Sequence, residues 1–329
     1  MGSMGRRIVL LVSTLCLGIL AYTPITSAAE WTVDDERALY DKMEALTHIP
    51  WHAWAAMDQY ERNVRAVRKD LPKAERIGVY FTDAEWSGYA NNQQADTVPW
   101  RIELFEGVGQ DGDNDGKADR EDPEDVLYTL SKQIVPFGYS ASHIKEALWR
   151  RYQRDQSVRS IHAMSMIYQK MGTHQLIERH FPLPLSSHYS YRSTWGAKRG
   201  FGGLRIHEGT DLFASYGTPV MATTYGVVEM KGWNRYGGWR LGIRDANNVY
   251  HYFAHLQGFS EDIDIGTIVT PGQQIGSVGS SGYGPPGTQG KFPPHLHYGM
   301  YKDNGFTEFS FDPFPSLRVW ERQTRAKRK

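Results

Sequence analysis

Apolar positions recur every three to four residues along four stretches of the first half of the chain, 32–49, 49–71, 124–135 and 142–171. Such spacing keeps one helical face apolar, and glycine and proline are scarce inside the stretches, so several amphipathic helices are predicted. The segment FPLPLSS, 181–187, breaks the pattern with two prolines. Beyond it glycine, tyrosine and β-branched residues dominate, as antiparallel strands require. The chain therefore reads as an α+β protein of two domains. A helical domain spans 30–180, an antiparallel β-sheet domain spans 181–315, and a basic tail occupies 316–329. With 329 residues, each domain can bury its own core.

Lysine plus arginine and aspartate plus glutamate both number 37, so overall charge gives no reason to expect a nucleic-acid partner. The N-terminus carries an address instead. Arg6 and Arg7 precede an apolar run over 8–22, and Ser27, Ala28 and Ala29 supply small residues for cleavage. This is the pattern of a secretory signal peptide over 1–29. Membrane contact is expected through this segment alone, whose apolar run is short for a spanning helix. Cleavage would remove Cys16, the only cysteine, leaving neither disulfides nor thiol chemistry. At the other end Arg318, Arg322, Arg325, Lys327, Arg328 and Lys329 face a single Glu321, which reads as a frayed, solvated tail.

The candidate chemistry lies in two strings of the second half. RIHEGTDLFA holds His207 and Asp211 as H-x-x-x-D, and PPHLHYGMY holds His295 and His297 as H-x-H. Imidazole nitrogen and carboxylate oxygen suit Zn²⁺, which takes three protein ligands at catalytic sites. On a strand both histidines of H-x-H face one side, so one can hold the ion while the other reaches the attacking water. A further histidine, His255, stands in VYHYFAHLQGF. His251, four residues earlier, would share its face on an unbroken strand and reads as a rim or packing residue. Hydrolysis of an amide, a poor electrophile, asks for such a set: a Lewis acid, a base for the water's proton and a donor for the oxyanion.

HEGTDLFASYGTPV, YFAHL, VTPGQQIGSVGSSG and HLHYG, in that order, resemble the lysostaphin-type (LytM-type) zinc endopeptidases of bacterial cell walls over about 181–315. The resemblance implies zinc held by His207, Asp211 and His297, with His255 and His295 as the catalytic pair. His295 is expected as base and His255 as donor, although either ring can serve either role. It also implies a secreted or envelope enzyme acting on peptidoglycan stem peptides beside glycan. The whole arrangement is similar to exported wall peptidases of Gram-positive spore-formers, a group that includes L-Ala–D-Glu endopeptidases. One departure is YGPPGTQGKFPP, 283–294, a longer connection before H-x-H that is expected to reshape one wall of the groove.

Within the helical half, DGDNDGKADRED places Asp111, Asp113, Asp115, Lys117, Asp119 and Asp122 at positions 1, 3, 5, 7, 9 and 12 of an EF-hand-like loop. Five carboxylates this close repel one another without a cation, and oxygen donors suit Ca²⁺ in a structural role; the alternative is a solvated acidic loop. AWAAMDQYERNV, this loop and SHIKEALWRRYQR also resemble the lysozyme-like fold of lytic transglycosylases. That match puts Glu61 where such enzymes keep a catalytic acid, which would make the chain a glycan-cleaving enzyme. Their glycine-methionine-glutamine loop is absent, which favours Glu61 as a helix surface charge beside Arg62 and the helical half as a wall-positioning domain. Trp51, Trp54, Trp86 and Trp100 fit either sugar stacking or core packing. A non-catalytic wall-binding activator is the remaining alternative.

Overall fold

In the computed structural model, which describes residues 31–200 and 204–327, the helical period of the first half resolves into seven α-helices. They are α1 (Val33–Thr47), α2 (Trp51–Val67), α3 (Asp83–Ser87), α4 (Pro99–Leu104), α5 (Pro123–Ile134), α6 (Ala141–Tyr152) and α7 (Asp155–Met171). Thr32 and Asp35 close α1 with a reciprocal capping box, and Gly172 ends α7 in the left-handed region. The stretch 142–171 is two helices rather than one. Gln153 takes φ 48° and Arg154 is extended, so the chain turns without glycine or proline. Trp54 and Trp86 lie in the core, which removes them as sugar platforms, whereas Trp100 is exposed. The predicted signal segment, 1–29, lies outside the described residues. Among the described residues no helix is long and apolar enough to cross a membrane.

The second half forms a ten-stranded sheet and a separate hairpin. In chain order the strands are β1 (Tyr189–Tyr191), β2 (Lys198–Arg199), β3 (Arg205–Ile206), β4 (Thr210–Ala214), β5 (Pro219–Met221) and β6 (Gly226–Asn234). They continue as β7 (Gly238–Asp245), β8 (Tyr250–Phe259), β9 (Ile268–Val269), β10 (Gln274–Val278), β11 (His295–Asp303) and β12 (Glu308–Phe311). The order β1-β4-β11-β8-β7-β6-β9 brings β4, β11 and β8 side by side, and β2 pairs only with β3. All pairings are antiparallel. Alternation along β11 and β4 sends Leu296, Tyr298 and Leu212 into the core. Phe181 and Leu183 of FPLPLSS belong to that same core.

The C-terminal segment is not a frayed tail. It forms α8 (Phe314–Ala326), with Leu317, Trp320 and Thr324 buried at three-to-four spacing. Glu321 accepts hydrogen bonds from the hydroxyls of Tyr189 and Tyr191 at 2.7 and 2.6 Å. The basic residues lie between these positions, and that apolar stripe outweighs their preference for solvent. Arg328 and Lys329 lie outside the described residues.

The two halves are packed together. Val227 and Ala246 of the sheet half join the helical core, and Tyr168 donates to the Ala246 carbonyl at 2.8 Å. The Arg154 guanidinium, just before α7, meets the buried Asp303 carboxylate at the end of β11 at 2.7 Å.

Candidate active site

Pairing of β4 with β11 sets His297 directly across from Asp211, so their side chains project from one face of the sheet. His207 reaches the same point from the turn between β3 and β4. The three ligand atoms converge: His207 Nε2 lies 2.9 Å from His297 Nδ1 and 3.1 Å from Asp211 Oδ1. His297 Nδ1 is 3.0 Å from Asp211 Oδ1. Gly209 makes room for this cluster, because a Cβ there would lie 2.7 Å from the His297 ring and 2.6 Å from the Tyr298 carbonyl. The glycine of HEGTD was the sequence signal for this close approach.

The donor set fits a divalent ion. His207 Nδ1–H donates to the Thr194 carbonyl at 2.9 Å, which leaves a lone pair on Nε2 aimed at the Asp211 oxygen. Acceptors facing each other at about 3 Å repel unless a cation lies between them. Burial depresses the His297 pKa, so its ring stays neutral as a ligand must.

His255 and His295 line the other side, with ring centroids 4.8 Å apart. His295 Nε2 is 3.7 Å from Asp211 Oδ1 and therefore beside the ligand cluster. Its Nδ1–H donates to the Pro293 carbonyl at 2.8 Å, and that of His255 donates to the Ser281 carbonyl at 2.8 Å. Both rings thus present unprotonated Nε2 atoms. Burial lowers both pKa values, and neighbouring His295 and His297 help bring that of His255 down to about 3. In this resting form His255 has no proton at Nε2 to offer an oxyanion; the donor role requires that it first gain one.

His255 reaches the site through a break in β8. Trp239 pairs with Leu256 but Leu241 with Phe253, so Ala254 and His255 together face Arg240. His255 takes φ 60°, uncommon for a residue other than glycine. The bulge shifts the phase of the strand. His251 consequently does not share a face with His255: it is fully buried, bonding Tyr298 at 2.6 Å and Asp245 at 3.2 Å. Packing is its role. The connection 283–294 supplies the Phe292 ring against His255 and His295, at 4.6 and 5.1 Å, and Tyr283 beyond it. These residues wall a cleft of about 600 Å³ above the histidine cluster.

The acidic loop is brought together in part. Carboxylate oxygens of Asp111, Asp113 and Asp115 lie within 4.8 Å of one another. All three also accept backbone amides of residues 115–117, and Asp119 and Asp122 accept amides further along. Asp119 accepts from the Glu121 amide, and Asp122 caps α5 through the Glu124 amide at 2.8 Å. Asp125, which the loop motif does not include, ties both ends of the loop by accepting from the Gly112 and Asp119 amides at 2.6 Å each. Burial and the neighbouring Asp122 and Asp113 outweigh those hydrogen bonds and push its pKa up to about 6.

Glu61 is neither a surface charge nor in the cleft. Its side chain is 12% exposed, accepts from the Tyr152 hydroxyl at 2.7 Å and lies 3.7 Å from Arg151. Arg151 and Tyr152, at the end of α6, close around the carboxylate because α2 and α6 both pack on α7, so it is engaged within the helical half.

Residues 205–309 match the model of peptidase family M23. The L-Ala–D-Glu endopeptidase of Bacillus subtilis is 57% identical over 323 residues, 97% of this chain and 99% of its own length. The chain belongs to peptidase family M23. Lysostaphin of Staphylococcus staphylolyticus is 33% identical over 34% of this chain and 22% of its own. The crystallised catalytic domain of Staphylococcus simulans lysostaphin aligns with a TM-score of 0.32 at 28% identity, over 40% of this chain and 92% of that one. This M23 peptidase is a zinc-dependent endopeptidase, and its likeness to the Bacillus relative extends through the helical first half.

Proposed function

We propose that the chain hydrolyses the L-Ala–D-Glu amide of peptidoglycan stem peptides, with His207, Asp211 and His297 holding zinc. The convergence of three lone-pair donors within about 3 Å, beside two neutral histidines, carries the reading of the site. The near full-length likeness to an L-Ala–D-Glu endopeptidase supports the bond. When bound, the ion polarises the scissile carbonyl and lowers the pKa of a water to about 7. His295 Nε2 accepts the water's proton, and that proton passes to the glutamyl nitrogen as the carbon–nitrogen bond breaks. His255, once it has taken a proton from solvent onto Nε2, would steady the oxyanion. Incubation of a synthetic L-Ala–D-Glu peptide with mature protein, read by mass spectrometry, tests the bond: a new glutamyl amino terminus supports it, and an uncut peptide with cleavage elsewhere in the stem counters it. His295→Ala should keep stoichiometric zinc yet lose about two to four orders of magnitude in turnover. Near-normal turnover in that variant removes His295 from the chemistry.

This substrate lies in the envelope, so export through residues 1–29 completes the reading, in a Gram-positive spore-former. The helical half positions the enzyme against the glycan. Its loop holds Ca²⁺ through Asp111, Asp113 and Asp115, with the Lys117 carbonyl in reach by its position, and so anchors the start of α5. Asp115→Ala should remove the rise in melting temperature that calcium gives the native protein. A native melting curve indifferent to calcium ends the ion reading.

A further inference from the structure

The cleft contains arginines with no acidic partner. Arg199 of the cleft is paired with Asp211 at 2.6 Å, and Arg244, outside the cleft, with Glu229 and Glu308 at 3.0 and 2.6 Å. Arg240 and Arg205 line the same cleft, and neither forms an ion pair among the described residues. Arg240 is partly buried, its Nε fully so and without a hydrogen-bond partner. A guanidinium that is partly buried and has no carboxylate beside it is incompletely compensated, and an anionic acceptor entering the cleft would compensate it. The cleft's own carboxylates do not serve. Glu308 is committed to Arg244, Glu208 accepts from the Tyr301 hydroxyl at 3.3 Å, and Asp211 belongs to the ligand cluster.

Position makes the acceptor specific. Arg240 stands on β7 directly across the bulge that presents His255. The positive charge of its guanidinium acts on the Tyr252 hydroxyl, and the Tyr252 ring lies 5.9 Å from that of His297. Arg205 acts on the same hydroxyl and lies over the Tyr236 ring at 5.4 Å. Two positive groups therefore stand one tyrosine away from the ligand cluster. Cleavage of an alanyl–glutamyl amide leaves the glutamyl residue on the departing amine side. Glutamate has two carboxyl groups and the peptide continues through one, so the other remains as a carboxylate a few bonds from the scissile nitrogen.

We propose that Arg240, supported by Arg205, receives this free carboxylate and so selects a glutamyl residue on the amine side of the bond. The inference rests on the L-Ala–D-Glu reading above. A planar guanidinium meets a carboxylate through two parallel hydrogen bonds, which fixes the residue's orientation as well as its charge.

The test compares kcat/KM on two synthetic peptides that differ only in carrying this carboxylate free or as the carboxamide. The native enzyme should favour the carboxylate by about 10- to 100-fold, the range for a hydrogen-bonded charge. Arg240→Gln should lose that factor on the carboxylate peptide and change little on the carboxamide, with zinc content and melting temperature retained. Arg240→Lys should keep part of the preference. Calorimetry on metal-free protein should show the glutamyl product binding more weakly to Arg240→Gln by a similar factor. Equal cleavage of both peptides by the native enzyme overturns the proposal without any variant. A preference that survives in Arg240→Gln overturns it as well, while leaving the L-Ala–D-Glu assignment standing. Failure of the native enzyme to cut either peptide overturns the bond assignment and this inference together.

Discussion

Replacing His207, Asp211 or His297 with alanine is expected to abolish zinc binding and hydrolysis together, by at least about four orders of magnitude in kcat/KM. The size follows from the geometry. Each residue contributes one of three donors converging within about 3 Å, and two donors hold a divalent ion far less tightly than three. Without the ion neither carbonyl polarisation nor water activation remains, and two neutral histidines cannot replace them. Metal analysis of each purified variant alongside its activity is the check. Stoichiometric zinc in any one of them would remove that residue from the ligand set. The Asp211 variant is the most telling, because it also frees Arg199, which pairs with the other carboxylate oxygen at 2.6 Å.

Arg154→Met should destabilise the protein by about 3–5 kcal/mol, the usual cost of leaving one partner of a buried pair alone. Asp303 is fully buried, and its remaining contacts are the Tyr60 hydroxyl at 3.4 Å and the Gly305 amide at 2.9 Å. Neutral donors do not replace the guanidinium. The pair joins the turn before α7 to the end of β11, so its loss loosens the seam between the helical half and the strand that carries His295 and His297. Chemical denaturation of the single and double variants gives both the cost and the coupling. A single variant within about 0.5 kcal/mol of the native protein contradicts the assignment.

Local patterns made much of this legible. Three-to-four spacing located the major helices, and H-x-x-x-D with H-x-H located the ligand cluster, because strand period and antiparallel pairing act over a few residues. What escaped depends on distant partners. The phase break at His255 exists because β8 is bulged opposite β7, which no periodicity within VYHYFAHLQGF reveals; the same break sends His251 into the core. Asp122, at the last position of the acidic loop, also caps α5, since the proline after it starts that helix. α8 was hidden by its basic residues, although Leu317, Trp320 and Thr324 carried a helical stripe. Glu61 needed the packing of α2, α6 and α7 before its partners Tyr152 and Arg151 could be seen.

Digestion of purified peptidoglycan by the purified protein, with and without a zinc chelator, tests the central claim most directly. Mass spectrometry should find new glutamyl amino termini that vanish with chelator and return when zinc is restored. New sugar ends formed regardless of chelator would contradict it and move the chemistry to the helical half.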